Sequence, residues 1–229
     1  MREIVLDTET TGFDPATGDR IVEIGCVELI DHLPTGRSFQ AYLNPERLVP
    51  IETQRVHGLT DEFLADKPLF AHIVEDLLEF IGDAPLVIHN ASFDMKFVNS
   101  ELHRCGRKPL PYARAIDTIE IAKAKIPGAR YSLDELCKRF GIDLSARAKH
   151  GALLDAELTA RVYLELVGGR QTKLVLGPGD SVEVTGDAII QVSRTRPRQI
   201  TVVITQSEQD AHAEFIAKDL GTDAVWNWS

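Results

Sequence analysis

Apolar positions come first in short alternating runs and then switch to helical spacing. Residues 3–7 (Glu-Ile-Val-Leu-Asp) open a strand, a turn-rich stretch follows from Gly12 to Gly18, and Ile21, Val22, Ile24, Val27 and Leu29 mark a second strand over 20–30. Gly36 ends a loop, and residues 38–43 alternate like a third strand, stopped by Asn44-Pro45. Three consecutive strands with short turns read as an antiparallel meander. Beyond it Phe70, Ile73, Val74, Leu77, Leu78 and Ile81 recur at helical spacing, closed by Gly82. Residues 85–89 form a short buried strand, and Ser92 is placed to cap a helix running to about Cys105. Residues 115–117 suit another short strand, leading into a helix with Ile119, Ile121 and Ala122. Residues 132–140 and 152–167 are two further helices, the last closed by Gly168-Gly169. A meander followed by alternating helices and strands predicts an α/β fold, a mixed sheet with helices packed on it.

After Gly169 the pattern weakens. Residues 177–198 carry Gly, Pro, Asp, Thr and an Arg-x-Arg-Pro-Arg cluster and read as a linker. Residues 200–204 are a β-branched run, 207–220 a helix with Ser207 and Asp210 in capping-box positions, and the chain ends Ala-Val-Trp-Asn-Trp-Ser. This tail has too few large apolar residues for a core of its own, so a small docking module is expected. At 229 residues and 44% apolar, the chain has length for one full core and something extra, and it is too apolar for disorder. No run approaches the ~18 apolar residues of a membrane span. Two carboxylates in the first seven residues do not suit a targeting signal. Cys26, Cys105 and Cys137 are odd in number and form no C-x-x-C pair, so neither disulfides nor a zinc knuckle is indicated. The expectation is a soluble, cytoplasmic protein.

Net charge is −10, unevenly spread. Residues 1–100 hold 7 Lys and Arg against 18 Asp and Glu, residues 101–150 hold 11 against 6, and residues 151–229 hold 7 against 11. The basic segment is open to two readings: a solvated surface, or a local polyanion contact through Arg104, Arg107, Lys108, Arg114, Lys123 and Lys125.

Some carboxylates need a reason. Asp7 and Glu9 stand two apart on a strand and so share a face, where they repel unless exposed or neutralised by a cation. Asp155 falls on the apolar face of its helix with Leu158, Val162 and Leu166, and requires either an Arg or Lys partner or a metal. His150 can face the same place only from the loop before that helix, which Gly151 permits. Asp94 lies in the first turn of a helix, where the macrodipole alone would favour it, and at a strand end, where sites collect. As a set, all-oxygen ligands suit Mg²⁺ or Mn²⁺, two of which can clamp the attacking and leaving oxygens of a phosphodiester.

The order Asp7-Thr8-Glu9-Thr10-Thr11-Gly12, then His89-Asn90-Ala91-Ser92-Phe93-Asp94, then His150 to Asp155 resembles the DEDDh 3′→5′ exonucleases of the ribonuclease H-like superfamily. That resemblance implies a ribonuclease H-like mixed five-stranded sheet with flanking helices over residues 1–170. It implies that Asp7, Glu9 and Asp155 hold the catalytic metals, Mg²⁺ or Mn²⁺, that Asp94 completes the second ion's site, and that His150 takes the proton of the attacking water. An imidazole is chemically suited to that task. The stretch from Glu52 to His57 is similar to the family's nucleotide-lining segment, placing His57 at the terminal nucleotide with Glu52 nearby; adjacency adds Thr8 and Phe93.

The flanks distinguish branches of the family. Gln171, Leu174 and Leu176 are similar to the short peptides that bacterial replication proteins insert into the sliding clamp. Together with the tail, they resemble the proofreading exonucleases that work beside bacterial replicative DNA polymerases. The division implied is an exonuclease domain over 1–170, a clamp-binding peptide and linker over 171–198, and a docking segment over 199–229. In that segment Phe215, Trp226 and Trp228 would engage the polymerase's catalytic alpha subunit. The substrate implied is the single-stranded 3′ end of a primer, and a further small subunit is open. Two other readings stand beside this one: an RNA 3′-end-trimming exonuclease, and a tether between clamp and polymerase whose acidic site is incidental.

Overall fold

The computed structural model describes residues 1–145, 147, 149–168, 205–215 and 218. Five strands, β1 (Arg2–Thr10), β2 (Ile21–Ile30), β3 (Leu33–Tyr42), β4 (Leu86–Ile88) and β5 (Ala115–Asp117), form one sheet in the order β3-β2-β1-β4-β5. The first three pair antiparallel, and β4 and β5 continue the sheet in parallel from β1, so the sheet is mixed as the pattern predicts. The meander is longer than expected at β3, which begins at Leu33 rather than at residue 38. Pro34 and Gly36 hid that start, and both are tolerated because β3 is an edge strand with only β2 as neighbour.

Helices cover both faces. On one, Ile4, Leu6, Ile24, Leu86 and Ile88 meet α3 (Phe70–Ile81) and α4 (Ala91–Arg104) through Val74, Leu77, Phe97 and Val98. On the other, Val5, Val27, Leu29 and Val87 pack against Ala156, Ala160 and Tyr163 of α7 (Ala152–Val167). A second side of α7, with Leu158, Val162 and Leu166, packs on α5 (Thr118–Lys125) and α6 (Leu133–Phe140). Alternation along β1 therefore sends Ile4 and Leu6 to the α3/α4 face and Val5 to the α7 face, and Asp7 and Glu9 follow Val5.

Two helices not anticipated as such, α1 (Ile51–His57) and α2 (Asp61–Leu64), lie between β3 and α3. Two caps also differ from expectation. The N-cap of α4 is Asn90, held at φ 68°, with Ser92 inside the helix. What stabilises this start is Asp117 at the end of β5, which accepts from the amides of Asn90 (3.3 Å), Ala91 (3.0 Å) and Ile119 (2.8 Å).

The chain separates into two compact units, Met1–Val175 and Leu176–Ser229. In the second, α8 (Gln206–Phe215) is capped by Thr205 and Glu208: the Thr205 amide donates to Glu208 Oε2 at 2.8 Å and the Glu208 amide to Thr205 Oγ1 at 3.4 Å. The box thus sits two residues ahead of the Ser207/Asp210 pair expected. The expected linker, the strand over 200–204, and Gln171, Leu174, Leu176, Trp226 and Trp228 lie outside the described residues. Phe215 is on α8 and exposed. No helix among the described residues is long and apolar enough to cross a membrane.

Candidate active site

At the carboxyl ends of β1 and β4 an open cavity of about 350 Å³ is lined by Asp7, Thr8, Glu9, His89, Phe93, Asp94, Arg147, His150 and Asp155 among others. Each wall has a local cause. A register shift in the β1–β2 ladder falls between Glu9 and Thr10, the kind of irregularity that re-aims side chains at a strand end. Thr8 points to the opposite face from Asp7 and Glu9, and there its hydroxyl donates to Asp94 Oδ1 at 2.7 Å, tying α4 to β1. Gly151 is the extended N-cap of α7, so His150 precedes the helix and Asp155 lies in its first turn, as the 150–155 spacing requires. The His150 amide donates to the Val56 carbonyl at 3.3 Å, joining the end of α1 to the same corner.

All four carboxylates and the histidine expected from the sequence thus line one cavity. Glu9, His150 and Asp155 each offer a ligand atom, and these lie within 4.8 Å of one another. Asp94 and Asp155 are nearly inaccessible, at 3% and 4% exposure. Among the described residues, no side-chain hydrogen bond reaches Asp7 or Glu9, so their charges have no close donor. Burial, then the charges of Asp94, Asp155 and Glu9, push the Asp7 carboxyl well above its usual range. Burial, then Asp155, Glu23 and Asp94, push Glu9 up to about 8. Asp94 is pushed up to about 7, again by burial first, with the Thr8 hydroxyl opposing. A crowd of carboxylates that resists ionisation alone is what a bound cation of high charge would relieve, and the oxygen-rich donor set fits hard divalent ions.

One cation of the chain itself enters the crowd, and sequence reasoning missed it. Arg147, 8% exposed, forks Asp155 with Nε to Oδ1 at 2.6 Å and Nη2 to Oδ2 at 2.7 Å, and also pairs with Asp134. The same Nη2 lies 2.9 Å from His150 Nδ1. Nδ1 also stands 3.3 Å from Asp155 Oδ2, so this ring nitrogen faces a donor on one side and an acceptor on the other. Of the two partners considered for Asp155, an arginine or a metal, the structure supplies the arginine and leaves oxygen ligands beside it. The one signal for Arg147 was its place three residues before His150.

The other expected contacts divide. Phe93 lines the cavity and packs on Phe97 with ring centroids 5.0 Å apart. Thr8 lines it too, but its hydroxyl is engaged by Asp94. Glu52 is exposed and His57 buried, both outside the cavity lining, with His57 Nδ1 accepting the Leu59 amide at 3.0 Å. In the basic segment, Arg114 donates to the carbonyls of Gly82 (2.6 Å) and Ala84 (2.8 Å), Arg107 pairs with Glu75, and Lys123 with Glu120. These three cations serve packing and surface pairs; Arg104 and Lys108 stay exposed.

The family model described as Exonuclease matches residues 4–163. The chain is 50% identical over 227 residues to DNA polymerase III subunit epsilon of Rickettsia felis, covering 97% of this chain and 98% of that protein. It is 41% identical over 236 residues to DNA polymerase III subunit epsilon of Escherichia coli, covering 98% and 97%. Among solved structures it is similar to Exonuclease X in complex with 5′ overhanging duplex DNA, with TM-score 0.57 and 26% identity over 72% of this chain and 91% of that one. It shares its fold with the nuclease domain of 3′hExo, a DEDDh family member bound to rAMP, with TM-score 0.64 and 21% identity over 73% and 92%. With its three motifs gathered in one acidic cavity and nearly its whole length matched, the chain belongs to the exonuclease family, as one of the DNA polymerase III epsilon subunits.

Proposed function

We propose that the cavity holds two divalent ions, Mg²⁺ or Mn²⁺, and that it removes mismatched 3′-terminal nucleotides from a primer as nucleoside 5′-monophosphates. The observation that carries this reading is the convergence of Asp7, Glu9, Asp94 and Asp155 on one cavity in which, among the described residues, no side-chain donor reaches Asp7 or Glu9. Asp7, Glu9 and Asp155 would hold the ions, with Asp94 completing the second position. Bound there, such ions polarise the attacking water and stabilise the leaving 3′-oxygen. His150 would accept the water's proton through a ring-nitrogen lone pair; Nδ1 is the nitrogen that faces Arg147 and Asp155. Arg147 must yield part of its hold on Asp155 and His150 for a lone pair at Nδ1 to be free. Phe93 offers a ring face to the terminal base, and His57 stands at the neighbouring corner, where the His150 amide meets the end of α1. A mismatched end enters because its last base is cheaper to unpair.

The sequence match to epsilon subunits supports DNA as substrate and a polymerase complex as setting. We infer from it a cytoplasmic replisome location, docking to the alpha subunit through Phe215, Trp226 and Trp228, a clamp contact through Gln171, Leu174 and Leu176, and the division 1–170, 171–198 and 199–229. The direct test is release of mononucleotides from 3′-mismatched primed DNA and from RNA of matched length with Mg²⁺, comparing wild type with Asp7→Ala/Glu9→Ala. Release from DNA that vanishes in the double variant is expected. Faster release from RNA would move the protein to RNA trimming, and no release from either would leave only a tether.

A further inference from the structure

Register across β1 and β2 sets Glu9 opposite Glu23. Directly opposed side chains lie about 4.5–5.5 Å apart on one face, so two like charges there destabilise the ladder. Glu23 is nonetheless only 2% exposed, and its charge adds to the burden on Glu9. A carboxylate buried beside an acidic cluster must earn hydrogen bonds to persist. Oε1 accepts from Gln40 Nε2 at 2.8 Å on β3, Oε2 accepts from the Ala152 amide at 3.1 Å, and the Tyr42 hydroxyl, directly opposite on β3, is a further side-chain partner.

Ala152 is the first residue of α7, and the N-cap Gly151 has no side chain with which to cap it. Helix N-termini leave amides unsatisfied, and here a strand residue supplies the missing acceptor from across the fold. A second observation places the same turn. A Cβ built on Gly25 would lie 2.3 Å from the Leu153 nitrogen and 2.4 Å from the Ala152 carbonyl carbon, so bare backbone at 25 lets α7 rest directly on β2. That turn follows His150 immediately and contains Asp155, whose amide donates to the Gly151 carbonyl at 2.8 Å.

We infer that Glu23 is a positioning residue for the acidic site: its bond to the Ala152 amide fixes the first turn of α7 on β2, so that Asp155 and His150 meet Asp7 and Glu9. Resting on the metal-site reading above, this gives β2 a part in a site whose ligands all come from elsewhere. What the bond needs is an acceptor rather than a charge. Glutamine at 23 supplies one, and the Gln40 amide can turn its oxygen toward the new NH₂.

The test uses the full chain as wild type, Glu23→Ala, Glu23→Gln and Gln40→Ala. Three quantities are read below the lowest melting temperature: Mn²⁺ affinity without DNA, hydrogen exchange at the α7 first turn in metal-free protein, and kcat and KM on mismatched primer. Expected in Glu23→Ala is faster exchange at Ala152 to Asp155, Mn²⁺ binding weakened about tenfold, and kcat lowered on the order of a hundredfold with KM nearly unchanged, as for ~1 Å misplacement of a reacting group. Glu23→Gln and Gln40→Ala are expected to stay near wild type. Glu23→Ala with wild-type Mn²⁺ affinity and kcat overturns the inference. So does Gln40→Ala falling as far as Glu23→Ala, which makes the β3 contact the important one, or Glu23→Gln falling as far, which makes it the charge. If Glu23→Ala does not fold, Glu23→Asp, too short to reach Ala152, takes its place. A wild type that binds no Mn²⁺ would instead refute the metal-site reading.

Discussion

Placing a single methyl group on β2 tests whether the site depends on how closely α7 lies against the sheet. In Gly25→Ala the added Cβ would meet three atoms of the helix backbone, Leu153 N at 2.3 Å, Ala152 C at 2.4 Å and Leu153 Cα at 2.5 Å. Backbone cannot swing aside as a side chain can. Ordinary contact begins near 3.4 Å, so the first turn of α7 must recede by roughly 1 Å, carrying Asp155 away from Asp7 and Glu9. Overpacking of this kind costs about 1–3 kcal/mol of stability. Displacement of a reacting group by ~1 Å costs on the order of a hundredfold in rate. The expected outcome is therefore a folded protein with a modestly lowered urea midpoint and kcat near one hundredth of wild type. Gly36→Ala is the control. Its Cβ meets nothing within 4 Å but stands at φ +85°, so it is expected to lose about 1–2 kcal/mol of stability and no activity. Gly25→Ala with kcat within threefold of wild type would refute the claim that this contact sets the site.

Four further outcomes follow from the same geometry. Glu9 rises from an ordinary 4.5 to about 8 in the metal-free fold, so the stability tied to its neutral form is full below about pH 4.5 and lost as pH rises through 8. Metal-free protein should thus melt lower at about pH 9 than at about pH 6, with Mg²⁺ restoring more at the higher pH. Titration calorimetry in two buffers should show at least one proton released near pH 7 on Mn²⁺ binding, since Asp7 and Asp94 are raised along with Glu9, and a heat independent of buffer would contradict this. Thr8→Val removes the hydroxyl that donates to buried Asp94 and should weaken metal binding about tenfold with little loss of secondary structure, measured by Mn²⁺ titration and circular dichroism. Tyr163→Phe deprives buried Glu3 of a donor at 2.7 Å and should cost about 1–3 kcal/mol by urea melting while leaving nuclease activity intact.

How much was legible depended on whether the relevant signal was local. The i, i+2 rule alone put Asp7 and Glu9 on one face, and the angular mismatch between His150 and Asp155 alone required the loop that Gly151 provides; the structure has both. The start of β3 was hidden because edge strands tolerate Pro34 and Gly36, residues that elsewhere break pattern. Helices α1 and α2 are short, and Ile51, Val56 and Phe63 on them are exposed, so no apolar stripe announced them. Glu23 and Asp117 were invisible for a deeper reason. Both accept backbone amides 26 or more residues away, Asp117 in addition to the nearby Ile119 amide, and an amide carries no mark in the sequence.

The contrast among buried carboxylates then explains why the site lies at one end of β1 and not the other. Glu3, Asp7 and Glu9 share a strand face under the same helix. At the amino end Glu3, fully inaccessible, receives the Tyr163 hydroxyl at 2.7 Å and His32 Nδ1 at 2.8 Å. Glu28 is met by Arg2 at 2.7 Å and Arg37 at 3.0 Å, and Glu101 by Arg20 at 2.6 Å. Each of these is closed by donors of the chain and is structural. At the carboxyl end the chain provides Arg147 to Asp155 and no side-chain donor, among the described residues, to Asp7 or Glu9. Burial without donors is costly, and a fold that supplies donors to Glu3, Glu28 and Glu101 has the means to supply them here as well. That the open end faces a cavity, while the closed end is packed beneath Tyr163, sets Asp7 and Glu9 apart from ordinary ion-pair carboxylates and supports the proposal that they bind a cation.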